Sequence, residues 1–125
     1  MLLGEAFYNL ALKYIKKGDF EECMKYLVIS CKRKNPKALS FIGDYHYINK
    51  HYEYAYKYYN LSLENDENNS EIYYKLANCY IKGYGTSINK GKAFIYYKKA
   101  IEKGNKDAIH CLHYYKSIDN KNLKL

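Results

Sequence analysis

The residues best suited to chemistry are His110, Cys111 and His113. On a helix, two histidines three positions apart lie on one face, and imidazole and thiolate groups are ligands that zinc prefers. No fourth ligand stands at a suitable spacing. The simpler interpretation is that one histidine faces a groove and the other packs between repeats. We therefore expect no metal and no cofactor here.

Two further motifs have simpler structural interpretations. Gly83 and Gly85 could hold a phosphate, but they follow a predicted helix and lack both a third glycine and a partner acid, so they indicate a turn. The basic run 32–37 could be a nuclear import signal or a phosphate-binding patch. Its predicted position at a helix C-terminus gives a simpler reason for the basic residues, because cations there interact favourably with the helix dipole.

The sequence offers no candidate active site. Its Asp, Glu, Ser and His residues are not arranged as nucleophile, base and orienting group, and no H-E-x-x-H motif is present. The cysteines are widely spaced and form no C-x-x-C motif, which predicts free thiols in a reducing compartment. We expect a cytoplasmic protein that is not an enzyme.

The chain is strongly basic, with 21 Lys and Arg against 13 Asp and Glu, a net charge of +8 over 125 residues. Lys, Tyr, Asn and Ile are abundant, a bias that an A/T-rich genome would produce and that would leave part of this charge without a function. The longest run without Asp, Glu, Lys or Arg, 108–115, is far shorter than the ~20 residues of a membrane helix, and no export signal is recognisable. We expect one soluble domain.

Two sequence blocks recur along the chain, and they must position any functional side chain. The first block starts at Ala6, Ala38, Ile72 and Ala108, and the second at Cys23, Ala55 and Ala93. Each block carries small residues at fixed places with apolar or aromatic neighbours at helical spacing. Small residues allow two helix axes to approach closely, so the blocks predict paired helices.

Boundary signals predict two helices per repeat. Gly18 can end one helix in a left-handed conformation, and Asp19 with Glu22 forms a capping box for the next. Similar signals for later helices are Asn35 with Pro36, Asn68 with Glu71, Gly83 and Gly104. The predicted helices are 3–17, 19–34, 36–49, 51–65, 69–82, 88–103 and 106–119.

The first block resembles helix A of a tetratricopeptide repeat: a small residue follows Leu or Ile and precedes an aromatic ring by three positions, as in Leu76-Ala77 and Tyr80. The segment Ile72 to Asn105 is similar to the Sel-one-like variant, in which four extra residues lengthen the turn between the helices. His46 replaces the usual tyrosine in repeat two. The resemblance implies an all-α fold, an α-α superhelix of about seven helices in one domain, 1–125, with repeats 4–35, 36–68 and 69–105 and a capping helix 106–119.

The resemblance also implies a binding surface, because the A helices of tetratricopeptide domains line a concave groove. The implied ligand-facing positions are Tyr8, Leu12, Ile15, Ser40, Asp44, Tyr47, Ile48, Tyr74, Asn78, Ile81, His110, Tyr114 and Ile118. Such an amphipathic, aromatic surface suits a peptide or a helix. The family's carboxylate clamp needs a lysine one turn before the groove asparagine. Here Tyr74 precedes Asn78, which argues against binding of a C-terminal carboxylate.

We therefore expect a monomeric, non-catalytic adaptor that binds another protein and neither a membrane nor a cofactor. The alternative is a protein that binds single-stranded nucleic acid, motivated by the charge of +8 and the 18 tyrosines. The single arginine, Arg33, weighs against it, because bidentate phosphate and base contacts favour arginine over lysine.

Overall fold

The computed structural model describes residues 2–123 as a succession of α-helices, without a strand in that range. In chain order they are α1 (Leu2–Lys16), α2 (Phe20–Lys32), α3 (Pro36–Ile48), α4 (Tyr52–Asn65), α5 (Ser70–Lys82), α6 (Lys90–Glu102) and α7 (Asp107–Leu123). The predicted all-α class is confirmed. The boundaries differ from the predicted ones by at most two residues, except that α7 continues four residues further.

Most of the predicted caps are present. The Asp19 carboxylate accepts a hydrogen bond from the Glu22 backbone N–H (3.1 Å), and the side chain of Asn35 accepts one from Ala38 (3.0 Å). One predicted cap is wrong by a residue. The N-cap of α5 is Asn69, which has the extended backbone that this position needs and accepts a hydrogen bond from the Glu71 N–H (3.0 Å).

The chain divides into two compact units, Met1–Glu67 with α1 to α4 and Asn68–Leu125 with α5 to α7. We call them unit 1 and unit 2. The division falls one residue before the predicted boundary between repeats two and three. The organisation as a single domain of three and a half repeats stays a prediction.

Unit 1 consists of two helical hairpins, α1–α2 and α3–α4. Small residues let the helices of each hairpin approach closely. Ala11 and Cys23 are fully buried, and a Cβ placed on Gly43 would lie 2.6 Å from Cε1 of Tyr59. The same hydrogen bond recurs in both hairpins: Ser30 Oγ donates to the Gly4 carbonyl (2.6 Å), and Ser62 Oγ donates to the Pro36 carbonyl (2.7 Å). These buried serines tie the end of the second helix to the start of the first.

In unit 2, the α5–α6 hairpin has a longer turn, and α7 packs on α6. Gly83 ends α5 in the left-handed conformation (φ 71°), and the Asn89 N–H donates to the Tyr80 carbonyl (2.9 Å), so residues 83–89 form a turn as expected. The buried side chain of Asn105 accepts a hydrogen bond from the Ala108 N–H (3.0 Å). It thereby caps α7 and fixes where that helix begins.

Candidate functional site

In unit 1, the structure brings together part of the predicted groove surface. Burial and, to a smaller extent, the negative charge of Asp44 on α3 raise the pKa of Tyr8 on α1, so these two predicted residues are electrostatic neighbours. The Asp44 carboxylate accepts a hydrogen bond from the Tyr59 hydroxyl of α4 (2.7 Å). The remaining predicted residues in this unit are half-buried or exposed: Leu12, Ile15, Ser40, Tyr47 and Ile48.

In unit 2, three helices contribute to a cluster around Tyr74 and Asn78 of α5. The Tyr97 hydroxyl from α6 donates to Asn78 Oδ1 (2.6 Å), and Cys111 Sγ from α7 lies 3.8 Å from the Tyr74 hydroxyl oxygen. Burial is the main cause that raises the pKa of Tyr74 and of Tyr97. Both phenols therefore remain protonated and able to donate hydrogen bonds at neutral pH.

The other predicted groove residues of unit 2 differ in accessibility. Ile81 is only 8% exposed and offers a partner little surface. His110 and Tyr114 are exposed, and Ile118 is half-buried. The accessible part of this predicted surface therefore lies on α7 more than at the C-terminal end of α5.

The possible zinc ligands do not form a site. His110 and His113 are exposed, whereas Cys111 is half-buried beside Tyr74. Among residues 2–123, no group of three His, Cys, Asp or Glu side chains could hold a metal ion. The four cysteines are free thiols, as predicted. Burial raises the pKa of Cys79 to about 12 and that of Cys31 to about 11, so neither is a nucleophilic thiolate at neutral pH.

The basic run 32–37 spans the connection between α2 and α3. Lys32 ends α2, Arg33 is its C-cap, and the Arg33 guanidinium lies 5.8 Å from the centre of the Phe7 ring. The predicted position at a helix C-terminus is therefore confirmed. No helix in the described part of the chain has both the length and the apolar character needed to cross a bilayer.

Sequence reasoning missed a cavity in unit 1. It has a volume of about 470 Å³, and α2, α3 and α4 contribute its lining: Met24, Val28, Cys31, Lys32, Leu39, Ile42, Tyr45, His46, Tyr58 and Leu61. None of the predicted groove residues lines it. His46 Nδ1 is buried there without a hydrogen-bond partner. One signal was present in the sequence, since His46 stands where the other repeats have Tyr14 and Tyr80.

Comparison with known proteins supports the repeat interpretation. No family model matches the chain. An uncharacterized Sel1-like repeat-containing protein of Schizosaccharomyces pombe (strain 972) is 39% identical over 85 residues, which are 67% of this chain and 12% of that protein. The chain therefore spans about an eighth of this relative's length.

Two solved structures share the fold. A Sel1 repeat protein from Oxalobacter formigenes superposes with a TM-score of 0.76 at 22% identity, covering 88% of this chain and 87% of that one. The first tetratricopeptide repeat domain of Spaghetti (RPAP3), bound to the HSP90 peptide SRMEEVD, superposes with a TM-score of 0.68 at 16% identity, covering 94% and 93%. The predicted helical-repeat fold and the predicted similarity to Sel1-like repeats are thus confirmed.

Proposed function

We propose that this chain is a non-catalytic adaptor that binds a peptide or helix of another protein through its A helices, α1, α3, α5 and α7. The fold is typical of protein–protein interaction modules, and such repeat proteins are in general non-catalytic. The Spaghetti domain, which has the same fold, holds a peptide. The proposal extends this mode of binding to the present chain.

The observation that carries the proposal is a recurring polar pair on the A helices. Asp44 and Asn78 occupy equivalent positions in repeats two and three, and each accepts a hydrogen bond from a tyrosine of the following helix. These bonds hold the carboxylate and the amide in place before a partner arrives. Preorganised polar groups beside exposed apolar side chains such as Ile48 are the features of a peptide-binding surface.

The same residues narrow the class of partner. The carboxylate clamp of the family requires a lysine one turn before the groove asparagine, and this chain has Tyr74 before Asn78. A tyrosine hydroxyl provides a hydrogen bond but no positive charge for a terminal carboxylate. We therefore propose an internal peptide segment or a helix as the ligand.

Single-stranded nucleic acid is the alternative partner, and the structure contains an observation against it. Stacking of bases requires open tyrosine faces. Several tyrosine faces carry a lysine instead: Lys92 lies 5.2 Å from the Tyr80 ring centre, and Lys99 lies 5.7 Å from those of Tyr73 and Tyr96. These rings therefore offer fewer open faces for stacking bases than the composition suggested.

Affinity purification of the tagged chain from its own cells, followed by mass spectrometry, tests the proposal. Ile48→Glu in unit 1 and Tyr114→Glu in unit 2 place a charge on residues that are 78% and 61% exposed, so the fold should survive. Ile88→Glu, at a residue 64% exposed in the α5–α6 turn, is the matched control. We expect both groove variants to lose a partner that the control keeps. Retention of every partner by both groove variants would show that the A helices are not the binding surface.

The proposal also includes a cytoplasmic location and a monomeric state. Four free thiols, two of them buried, suit a reducing compartment. Sedimentation velocity of the purified chain over a range of concentrations tests the proposed monomeric state. A mass that rises with concentration would instead indicate self-association.

A further inference from the structure

The cavity of unit 1 has the character of a binding pocket. Its volume of about 470 Å³ lies within the range of ligand sites, and its lining is mainly apolar, with Met24, Leu39 and Ile42 among its walls. We call this cavity with its rim the α2–α4 pocket. Because it shares no residue with the predicted groove, it is a separate surface of the molecule.

A polar group without a partner lies in the wall of this pocket. The His46 ring stacks on Tyr58 (centroids 5.6 Å apart, 13° between planes) and on Tyr54 (5.1 Å, 30°). The Nδ1 atom of this ring is buried and has no hydrogen-bond partner. Burying an unsatisfied polar atom costs free energy, so this wall is packed less favourably than one whose polar atoms all have partners.

The apolar surface continues beyond the cavity. Val28 and Tyr45 are exposed at its rim, the exposed Phe20 ring lies 6.1 Å from that of Tyr45, and Tyr54 is exposed beside His46. A small molecule that filled the cavity would leave these side chains in water. Contiguous exposed apolar and aromatic surface of this kind marks sites of protein interaction.

Charge indicates the chemistry of the partner. Among the described residues that line the cavity, Lys32 is the one ionic side chain and none is acidic, and the exposed Lys34 follows just beyond the end of α2. We propose that the α2–α4 pocket docks an amphipathic, acidic segment of a partner protein. An apolar or aromatic anchor of that segment fills the cavity, and its carboxylates face Lys32.

A methyl signal inside the pocket provides the test. The full chain has two methionines, and Met24 lines the cavity, so ¹³C labelling of methionine methyl groups gives a sparse spectrum in which Met24→Leu assigns the signal. The probe is a short helical peptide with leucine and phenylalanine on one face and glutamate on the other. We expect saturable shifts of the Met24 signal. Peptides with lysine replacing glutamate, or alanine replacing the apolar anchors, should bind at least about tenfold more weakly.

Variants of the chain separate this surface from the proposed groove. Val28→Glu, at a rim residue that is 44% exposed, should weaken binding of the acidic peptide about tenfold. Ile95→Glu, at a residue on α6 that is 53% exposed, should leave that binding unchanged. Ile48→Glu should leave the peptide titration of the Met24 signal unchanged. The pocket proposal can therefore hold even if the groove proposal fails.

Four results would overturn the proposal. They are an unshifted Met24 signal up to about 1 mM peptide, equal binding of the lysine peptide, undiminished binding by Val28→Glu, and a concentration-dependent dimer that Val28→Glu dissociates. The last result would assign the pocket to a second copy of the chain instead.

Discussion

The hairpins α3–α4 and α5–α6 share one internal plan. In each, a buried tyrosine of the second helix donates its hydroxyl to an acceptor of the first: Tyr59 to Asp44 (2.7 Å) and Tyr97 to Asn78 (2.6 Å). In repeat one the positions equivalent to this pair hold Leu27 and Leu12, which have no such groups. A polar link between the helices is therefore an option of this repeat, and repeats two and three both use it.

The two hairpins differ at the aromatic pair on the other side of the first helix. In α3–α4, His46 stacks flat on Tyr58, whereas in α5–α6, Tyr80 meets Tyr96 edge to face (5.3 Å, 84°). A lysine ammonium lies over each ring of the second pair, Lys92 over Tyr80 and Lys99 over Tyr96. The first pair borders an open cavity. One aromatic position can thus change a surface while the helix pairing stays the same.

The largest expected effect tests the shared plan. Tyr59→Ala and Tyr97→Ala should each lower the free energy of unfolding by about 3 to 5 kcal/mol, because each removes an almost fully buried ring and a partly buried hydrogen bond. Urea unfolding monitored by circular dichroism measures both. A loss below about 1 kcal/mol in either variant would show that its hairpin does not depend on this tyrosine.

A smaller effect tests the close approach of α3 and α4. Gly43→Ala should cost about 1 to 3 kcal/mol, because the new Cβ would lie 2.6 Å from the Tyr59 ring. Gly91→Ala on α6 is the matched control, since a Cβ there meets only Asn89 Oδ1, at 3.6 Å. The control should be neutral or slightly stabilising, as alanine favours helices. Equal effects of the two substitutions would mean that the Tyr59 ring can move aside.

The next effect concerns residue 46, and it should be visible in the stability of the protein and in the pH dependence of that stability. His46→Tyr should stabilise the protein by about 1 kcal/mol at neutral pH, because it removes the unsatisfied Nδ1 and restores the tyrosine of the other repeats. Burial and then the charge of His51 lower the pKa of His46 in the folded protein. Below the unfolded pKa of about 6.5, the unfolded state therefore binds more protons, and the native protein loses stability.

The stability difference between His46→Tyr and the native chain should thus widen as pH falls from about 7.5 to about 5. Thermal unfolding at several pH values measures it, and the other histidines are common to both proteins. A difference that stays constant with pH would show that His46 titrates alike in the folded and unfolded chain. A less stable variant would show that the cavity cannot accept a tyrosine here.

The sequence was sufficient to predict the helices because their signals are local. The hydrogen bonds of Asp19 and Asn35 form within one turn, and glycine at 18 and 83 marks a left-handed residue that most side chains avoid. The shift of the α5 cap from Asn68 to Asn69 shows the limit of such signals. Two adjacent asparagines both favour the position, and the local sequence pattern does not decide between them.

The candidate site was less predictable, because it depends on which side chains meet in space. The resemblance placed Asp44 and Asn78 on the A helices. The spacing alone did not indicate that the hydroxyls of Tyr59 and Tyr97 donate hydrogen bonds to these two side chains. His46 was recognised as a departure from the repeat. The cavity beside His46 could not be predicted from this residue alone, because side chains of α2 and α4 also form its walls.

The smallest expected effect concerns the turn between the helices of each hairpin. Repeat one has Gly18 in the left-handed conformation (φ 78°), and 32 residues later repeat two has Lys50 in the same conformation (φ 63°). A side chain in this region is strained, so Lys50→Gly should stabilise the chain by about 0.5 to 1 kcal/mol, and Gly18→Ala should cost about as much. A Cβ on Gly18 would meet nothing within 4 Å, so the stability lost in Gly18→Ala measures the backbone strain alone. Urea unfolding of both variants should give shifts of opposite sign. If Lys50→Gly is destabilising instead, the entropy that glycine adds to the unfolded chain outweighs the relieved strain.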